Sequence, residues 1–152
     1  MKSSFAQVYI HLVFAPKERL ILGNAGHREE LGKYMAGIVA NHKSRLYIGK
    51  VMPDHVHLLI GLHPGLSVSA IAREIKASSS KLINDKKWVP GKFNWCEGYG
   101  AFSCSHAILD KVAHYIQNQE IHHSKVGFGE EYKSMLKLVK VSDEEMENYH
   151  MA

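Results

Sequence analysis

The stretch MPDHVHLLI, at positions 52–60, constrains the fold of this chain more than any other part of the sequence. The run from Val56 to Ile60 is apolar and typical of a buried strand, and Pro53 and Asp54 indicate a turn just before it. Because side chains alternate along a strand, His55 and His57 project from the same face. Burying two imidazoles without partners is costly, so we expect another group to occupy both rings.

The order of predicted elements defines a fold class. Apolar alternation predicts strands at residues 8–14, 45–52, 55–62 and 101–104, and helical periodicity predicts helices over 27–43, 67–87 and 106–123, the last capped by Ser105. A βαββαβ order predicts an α+β, ferredoxin-like or RRM-like antiparallel sheet with two helices on one face, followed by a further C-terminal helix. In that sheet the first and third strands are central neighbours, which would bring His11 near His55 and His57.

The distribution of charge separates the body of the chain from its end. The last ten residues are acidic, so we predict one domain over residues 1–142 and an acidic tail over 143–152. The whole chain carries a net charge of +4, yet residues 1–142 hold all 19 Lys and Arg and only 11 of the 15 Asp and Glu. The resulting +8 suits a polyanionic partner.

Cysteine spacing and hydropathy bear on the compartment. Cys96 and Cys104 have neither the number nor the spacing of a disulfide framework or a zinc site, so we expect reduced thiols. No apolar run reaches the roughly 18 to 20 residues of a membrane span, and the N-terminus lacks a signal-peptide cleavage pattern. These observations predict a cytoplasmic protein with no membrane association.

Two imidazoles on one strand face form half of a metal site. The other ligands must come from elsewhere, and the helix predicted over 106–123 offers Tyr115, Gln119, Glu120, His122 and His123. Tyr115 and Gln119 are four residues apart and would share one face of that helix. Tyr115 also continues the apolar stripe of Ile108 and Val112, so packing in the core is an alternative interpretation.

Three motifs together carry a family resemblance. The stretches PDHVHLLI, GYGAFSCS and YIQNQEIHH, in this order, resemble the single-tyrosine HUH transposases, the TnpA-type enzymes of the smallest insertion sequences and relatives of the REP-associated tyrosine transposases. The resemblance implies that His55 and His57 bind metal, that Gln119 is a third ligand and that Tyr115 is the nucleophile. It also implies cleavage and rejoining of single-stranded DNA at insertion-sequence ends, through a tyrosine that keeps the 5′-phosphate.

The metal and the partners follow in part from the same resemblance. Mixed imidazole and amide ligation suits Mn²⁺, and Mg²⁺ can fill open positions with water and phosphate, so we expect either ion. The family implies hairpin DNA at the element ends and a homodimer whose tyrosine helix acts on the partner's histidine pair. Candidate DNA contacts are Arg73, Lys86, Lys87, Trp88 and Lys92.

Alternative interpretations of the same features stay open at this point. The stretch KKWVPGKFNW, at positions 86–95, is basic and aromatic. Its aromatic residues Trp88, Phe93 and Trp95 could instead attach a long loop to the core. A replication initiator or relaxase also uses two histidines and a tyrosine. A non-catalytic RRM-like protein that binds single-stranded nucleic acid would need only the sheet and the basic charge.

Overall fold

The computed structural model of the protein describes residues 4–123, 127–138 and 142–146. Its strands and helices, in chain order, are β1 (Tyr9–Phe14), α1 (Ala25–Asn41), β2 (Arg45–Val51), β3 (Val56–Gly61), α2 (Val68–Asp85), β4 (Gly100–Cys104), α3 (Leu109–Gln117), α4 (Gln119–His123), α5 (Phe128–Leu138) and α6 (Asp143–Met146). Within the predicted acidic tail, α6 is described and residues 147–152 lie outside the described residues. The predicted βαββαβ order is confirmed.

The four strands form one antiparallel sheet in the order β2-β3-β1-β4. The first and third strands are central neighbours, as the fold class requires, and β4 is an edge. In the register of β1 and β3, His11 pairs with Leu59 and Val13 with His57. His11 and His57 therefore lie on the same face of the sheet, one step apart on adjacent strands, and the predicted fold class is confirmed.

The first face of the sheet is apolar and is covered by α1 and α2. Leu12 and Phe14 of β1 and Leu58 of β3 are fully buried there. Asn24 caps α1 by accepting a hydrogen bond from the His27 backbone N–H at 2.8 Å. The two helices contribute their own buried stripes to this core, among them Leu31, Met35, Val39, Ile71 and Ile75.

The second face is covered by α3 and α5 in two separate apolar clusters. Leu109 and Ile116 of α3 pack on Tyr9 and Leu59, whereas Phe128, Tyr132 and Leu136 of α5 pack on Val13 and Ala15. The imidazoles of His11 and His57 lie between these clusters. The second face thus combines apolar packing with a buried polar centre.

A glycine in β4 allows α5 to approach the sheet closely. A Cβ added at Gly100 would lie 2.8 Å from the Tyr132 ring and 3.2 Å from the Phe102 ring. A Cβ contact of 2.8 Å is too short to persist, so a side chain at position 100 would displace the Tyr132 ring. The position of α5 on the sheet therefore depends on the absence of a side chain there.

The helix predicted over residues 106–123 is divided in the structure. A 3-10 turn at His106–Ile108 precedes α3, and Ser105 makes no side-chain capping hydrogen bond, so the predicted cap is wrong. Asn118 then ends α3 as its C-cap residue: its backbone N–H still donates to the His114 carbonyl, but its own dihedral angles, φ −93° and ψ 20°, leave the α-helical region. The predicted placement of Tyr115 and Gln119 on one continuous helix is wrong, since Gln119 begins α4.

The predictions about membrane spans and cysteines can be compared with the described residues. In the ranges that the structure describes, no helix combines the length and hydropathy needed to span a membrane. Cys96 is buried and Cys104 is half-buried, and neither forms a disulfide.

Candidate active site

Each histidine of the HVH motif is held through its Nδ1 atom. The His55 ring is fully buried, donates from Nδ1 to Asp54 Oδ1 at 2.8 Å and stacks on the Phe128 ring with centroids 4.3 Å apart. His57 is also fully buried, and its Nδ1 lies 2.8 Å from His11 Nε2. In both rings the Nδ1 atom is engaged, and Nε2 is the atom that faces the site.

Two side chains from the C-terminal helices meet these Nε2 atoms. Gln119 Oε1 lies 3.1 Å from His55 Nε2, and Glu131 Oε1 lies 3.1 Å from His57 Nε2. Glu131 Oε2 is 3.9 Å from His55 Nε2. One ligand atom from each of His55, His57 and Glu131 fits within a 4.8 Å span, and all three residues are buried. This cluster could bind a metal ion.

The hydrogen bonding of the cluster fits a cation. With Nδ1 of His55 donating to a carboxylate, Nε2 presents a lone pair to the Gln119 carbonyl oxygen, which presents lone pairs of its own. Among the described residues, His57 Nε2 and Glu131 Oε2 are buried and have no partner in hydrogen-bonding geometry, although His57 Nε2 lies 3.1 Å from Glu131 Oε1. Unsatisfied buried polar atoms are costly and rare, and a metal ion would satisfy the lone pairs of these two atoms. The buried Gln119 Nε2 group also lacks a partner, but it is a donor and a metal ion would not satisfy it.

Tyr115 of α3 reaches the same cluster. Its ring is half-buried and packs against the apolar cluster of Tyr9, Leu59, Leu109 and Ile116. The ring centroid lies 5.9 Å from that of His57. Its hydroxyl donates a hydrogen bond to Glu131 Oε1. Core packing of the ring and polar contact of the hydroxyl are therefore both present, and the two sequence interpretations of Tyr115 are compatible.

Burial and charge determine the protonation of the cluster. Burial lowers the pKa of His57, and burial together with the neighbouring His57 lowers the pKa of His11 to about 3, so both imidazoles are neutral, as metal ligation requires. Burial alone would raise the pKa of Glu131, but its contacts with His57 and Tyr115 outweigh that and hold it at about 2. Burial raises the pKa of Tyr115, and the Glu131 carboxylate raises it further. This arrangement stabilises the protonated phenol beside a charged carboxylate.

Other predicted candidates lie elsewhere or outside the description. Glu120 is exposed and forms an ion pair with Lys50 at 3.0 Å, so it does not join the cluster. The side chains of His122 and His123 lie outside the described residues.

Sequence reasoning missed Glu131. It lies beyond residue 123, where the sequence pattern predicts neither a strand nor a helix. A signal was present in the order Phe128, Glu131, Tyr132, Met135 and Leu136, in which a carboxylate occupies one position of an otherwise apolar helical stripe. A lone acidic residue on a buried helical face is costly unless it is paired or binds a cation.

The predicted DNA-binding residues lie in the helical layer of the first face, away from the histidine cluster. Arg73 is exposed on α2, and Lys86, Lys87 and Lys92 are exposed on and after its C-terminus. Lys86 also forms an ion pair with Glu30 of α1 at 3.3 Å. Trp88 is half-buried, and its ring stacks on His27 with centroids 4.7 Å apart.

Two aromatic residues of the stretch 86–95 are part of the apolar core. Phe93 is fully buried, and its backbone N–H donates to Asn84 Oδ1 at 2.7 Å. Trp95 is 7% exposed and donates from Nε1 to Ser79 Oγ at 3.0 Å. For these two rings the alternative interpretation, attachment of the loop to the core, is confirmed.

Comparison with known proteins gives a consistent family. The family described as "Transposase IS200 like" matches residues 4–119. The chain is 27% identical over 115 residues to the transposase for insertion sequence element IS200 of Salmonella typhimurium, covering 72% of this chain and 74% of that protein. It is 25% identical over 122 residues to the ISDra2 transposase TnpA of Deinococcus radiodurans, covering 74% and 84%.

Solved structures share the fold. A Deinococcus radiodurans structure described as a transposase superposes with a TM-score of 0.61 at 23% identity, covering 78% of this chain and 95% of that one. The structure of a REP-associated tyrosine transposase bound to a REP hairpin superposes with a TM-score of 0.62 at 14% identity, covering 83% and 74%.

The sheet with its buried histidine pair and the sequence matches define a DNA transposase. The family match covers most of the chain, and the chain belongs to the IS200-like transposase family. The resemblance in its motifs is confirmed, and the activity that this family implies is DNA strand transfer.

Proposed function

We propose that this transposase cleaves and rejoins single-stranded DNA at insertion-sequence ends, with Tyr115 as the nucleophile. The observation that carries the proposal is the convergence of the Tyr115 hydroxyl, the two Nε2 atoms of the HVH motif, Gln119 and Glu131 in one buried cluster. A nucleophile beside a carboxylate and candidate metal ligands is the arrangement that in-line displacement at a phosphodiester requires.

The proposed step conserves atoms and charge. The Tyr115 oxygen forms a bond to the phosphorus, the bond from phosphorus to the 3′ oxygen breaks, and the 5′-phosphate stays on the tyrosine. The phenol proton passes to water, because the Glu131 carboxylate that accepts its hydrogen bond has a pKa of about 2 and is too weak a base to keep it. The departing 3′ oxygen takes a proton from water. Rejoining is the reverse attack by a 3′-OH. Burial raises the pKa of Tyr115 above the value of about 10 for a free phenol, so ionising it is costly, and the charge of a bound divalent ion would offset part of that cost.

We propose that His55, His57, Gln119 and Glu131 hold the divalent ion, which is Mg²⁺ or Mn²⁺. When bound, such an ion would withdraw charge from the phosphate oxygens and favour attack at the phosphorus. The protein's own part is to position the ligand atoms: Asp54 orients His55, and His11 orients His57. Glu131 adds a negative charge to an otherwise neutral ligand set, which suits a hard divalent cation.

We propose a single-stranded substrate with a hairpin. Support comes from the REP-associated relative, whose structure contains a REP hairpin, and from the positive charge of residues 1–142. Arg73, Lys86, Lys87 and Lys92 would contact the DNA backbone, and Trp88 would contact a base with its exposed part. An open cavity of about 780 Å³ beside Lys87, Trp88 and Lys92 offers room for such contacts.

We also propose a homodimer. The family resemblance implies that the tyrosine helix acts on the partner's histidines, whereas within one chain Tyr115 already lies beside its own His57. Mixing the Tyr115→Phe and His57→Ala proteins distinguishes the two arrangements. Recovery of cleavage in the mixture indicates action on the partner, and a mixture as inactive as its components indicates action within one chain.

The decisive experiment is capture of the covalent adduct. Purified protein is incubated with Mn²⁺ and single strands from the flanks of its own gene, labelled on the 3′ side of the cut. We expect a labelled species that survives denaturation, that fails to form with chelator, and that blunt duplex of the same sequence does not give. Tyr115→Phe should bind the strands and give no adduct, whereas the matched variant Tyr99→Phe should behave as wild type. An adduct with Tyr115→Phe would show that another tyrosine attacks.

A further inference from the structure

A cavity opens on the second face, directly beside the nucleophile. It has a volume of about 480 Å³ and lies between β4, α3 and α5. Most of its wall is apolar and comes from Phe102, Val112 and Met135, which are half-buried. At its mouth, Ile108 is 44% exposed and Leu138 is 84% exposed. Large apolar side chains exposed around a concave surface indicate a ligand rather than bulk water.

Polar groups also line this cavity. Tyr115, Glu131 and His11 belong to its wall, so an occupant lies next to the tyrosine side chain and the candidate site. Lys111, exposed on α3, lines it as well. The cavity therefore combines a cation, an apolar wall with an aromatic ring, and the proposed nucleophile.

We propose that this cavity receives one nucleobase, from a nucleotide that flanks the scissile phosphate. The inference rests on the proposed function of Tyr115 and adds a binding site for the substrate. A volume of this size accommodates a nucleoside, and Phe102 supplies an aromatic surface for the base. Lys111 at the rim suits the adjoining phosphate. A side chain from a second copy of this chain would fit the apolar wall, but it would cover the hydroxyl that must reach the DNA.

Removing a base from the stack also has a geometric consequence. A strand with one base turned into the protein is bent at that nucleotide, and its backbone is exposed to the attacking group. The cavity and the tyrosine share a wall, so the bend falls at the phosphate beside Tyr115. Base identity at this position would then influence which phosphodiester is cut.

The test combines an abasic nucleotide with a variant that fills the cavity. Ser134 lines the cavity and is exposed on α5, so Ser134→Trp adds a ring there without disturbing the buried cluster. Ala40→Trp is the matched control, because Ala40 is exposed on α1, on the other side of the sheet. Initial cleavage rates are measured on the mapped substrate and on versions with an abasic nucleotide at either flank of the cut.

The expected pattern is a specific coupling. Wild type and Ala40→Trp should lose about tenfold in rate when one flanking base is removed, which is the loss expected from one stacked base. Ser134→Trp should cut the intact substrate about tenfold more slowly and show little further loss on the abasic one. Leu138→Ser, which removes an exposed part of the wall, should give a smaller loss of the same kind.

Two results would overturn the inference while leaving the proposed chemistry intact. One is an equal sensitivity of wild type and Ser134→Trp to the abasic substitution. The other is a change of oligomeric state in Ser134→Trp, measured by sedimentation, together with indifference of wild type to abasic DNA, because a second copy would then occupy the cavity. Absence of any adduct with wild type would instead remove the proposed function and this inference together.

Discussion

The two faces of the sheet are built from the same strands and differ in what they bury. On the first face, Leu12, Phe14 and Leu58 belong to one apolar cluster, built mainly from side chains of α1 and α2. On the second face, His11 and His57 alternate with Val13 and Leu59 and lie between two apolar clusters. Adjacent residues of one strand therefore have different roles. Those on the first face stabilise the fold by apolar packing, whereas those on the second face include buried polar side chains, which cost free energy but form the candidate site.

The largest effect that this comparison predicts is on chemistry. His57→Ala should reduce adduct formation by roughly a thousandfold or more, because a bound metal contributes several kcal/mol and each tenfold corresponds to about 1.4 kcal/mol. Most of the affinity for single strands should remain, since phosphate contacts elsewhere dominate binding. Adduct assays and strand binding measured on the same preparation check this. Full activity of the variant in chelator would contradict a metal-dependent site.

The residue next in the chain should give the opposite result. Leu58 is fully buried on the first face, so Leu58→Ala should lower the free energy of unfolding by about 2 to 5 kcal/mol. Activity per folded molecule should stay near wild type below the unfolding transition, because the histidine face is unchanged. Denaturant unfolding and active-site titration by adduct yield measure the two quantities. A loss of activity without a loss of stability would break the division of roles between the faces.

Glu131 tests whether the second face depends on a charged ligand. Glu131→Gln keeps the size of the side chain but removes its charge, so we expect a loss of roughly 10- to 100-fold in cleavage and in metal affinity. Its neighbour Glu130 is exposed, which makes Glu130→Gln the matched control, with an expected change within twofold. Calorimetric titration with Mn²⁺ measures the metal affinity directly. Unchanged Mn²⁺ affinity in Glu131→Gln would contradict metal ligation by this carboxylate and leave it the role of positioning the Tyr115 hydroxyl.

A smaller effect is expected from a substitution of His11, which contacts the proposed metal ligand His57. His11 Nε2 lies 2.8 Å from His57 Nδ1, so His11→Phe should keep the volume roughly constant and weaken Mn²⁺ binding by about tenfold through loss of that hydrogen bond. The matched variant His114→Phe changes an exposed histidine on α3 and should bind Mn²⁺ as wild type does. Equal Mn²⁺ affinities of the two variants would remove His11 from the site.

The smallest effect concerns the first face as a DNA surface. Lys87→Ala should weaken single-strand binding only a few fold and lower the dependence of log affinity on log salt by about one unit. Lys33→Ala, on the exposed side of α1, should leave that slope unchanged. Binding measured at several salt concentrations separates the two variants. Identical slopes would assign the DNA contacts to other residues.

The sequence predicted the sheet and its histidines well for a physical reason. Strand alternation is a local signal, and it predicted that His55 and His57 share one face; the prediction that His11 lies near them came from the βαββαβ order, in which the first and third strands are neighbours. The division at Asn118 was not predictable in this way, because it consists of a change in the backbone dihedral angles of one residue, and the apolar pattern of the helix does not report such a change. Glu131 was missed because its role depends on how α5 docks, which is a long-range contact.

Gly100 shows how far the requirements of the site extend into the fold. This residue touches no candidate ligand, yet it lets Tyr132 approach, and Tyr132 holds the helix that carries Glu131. In a saturation-mutagenesis screen scored by mobility of the element, position 100 should therefore tolerate almost nothing, although many of its variants would still fold. Such intolerance would show that the candidate active site depends on Gly100, a residue at the edge of the sheet that has no side chain to contribute.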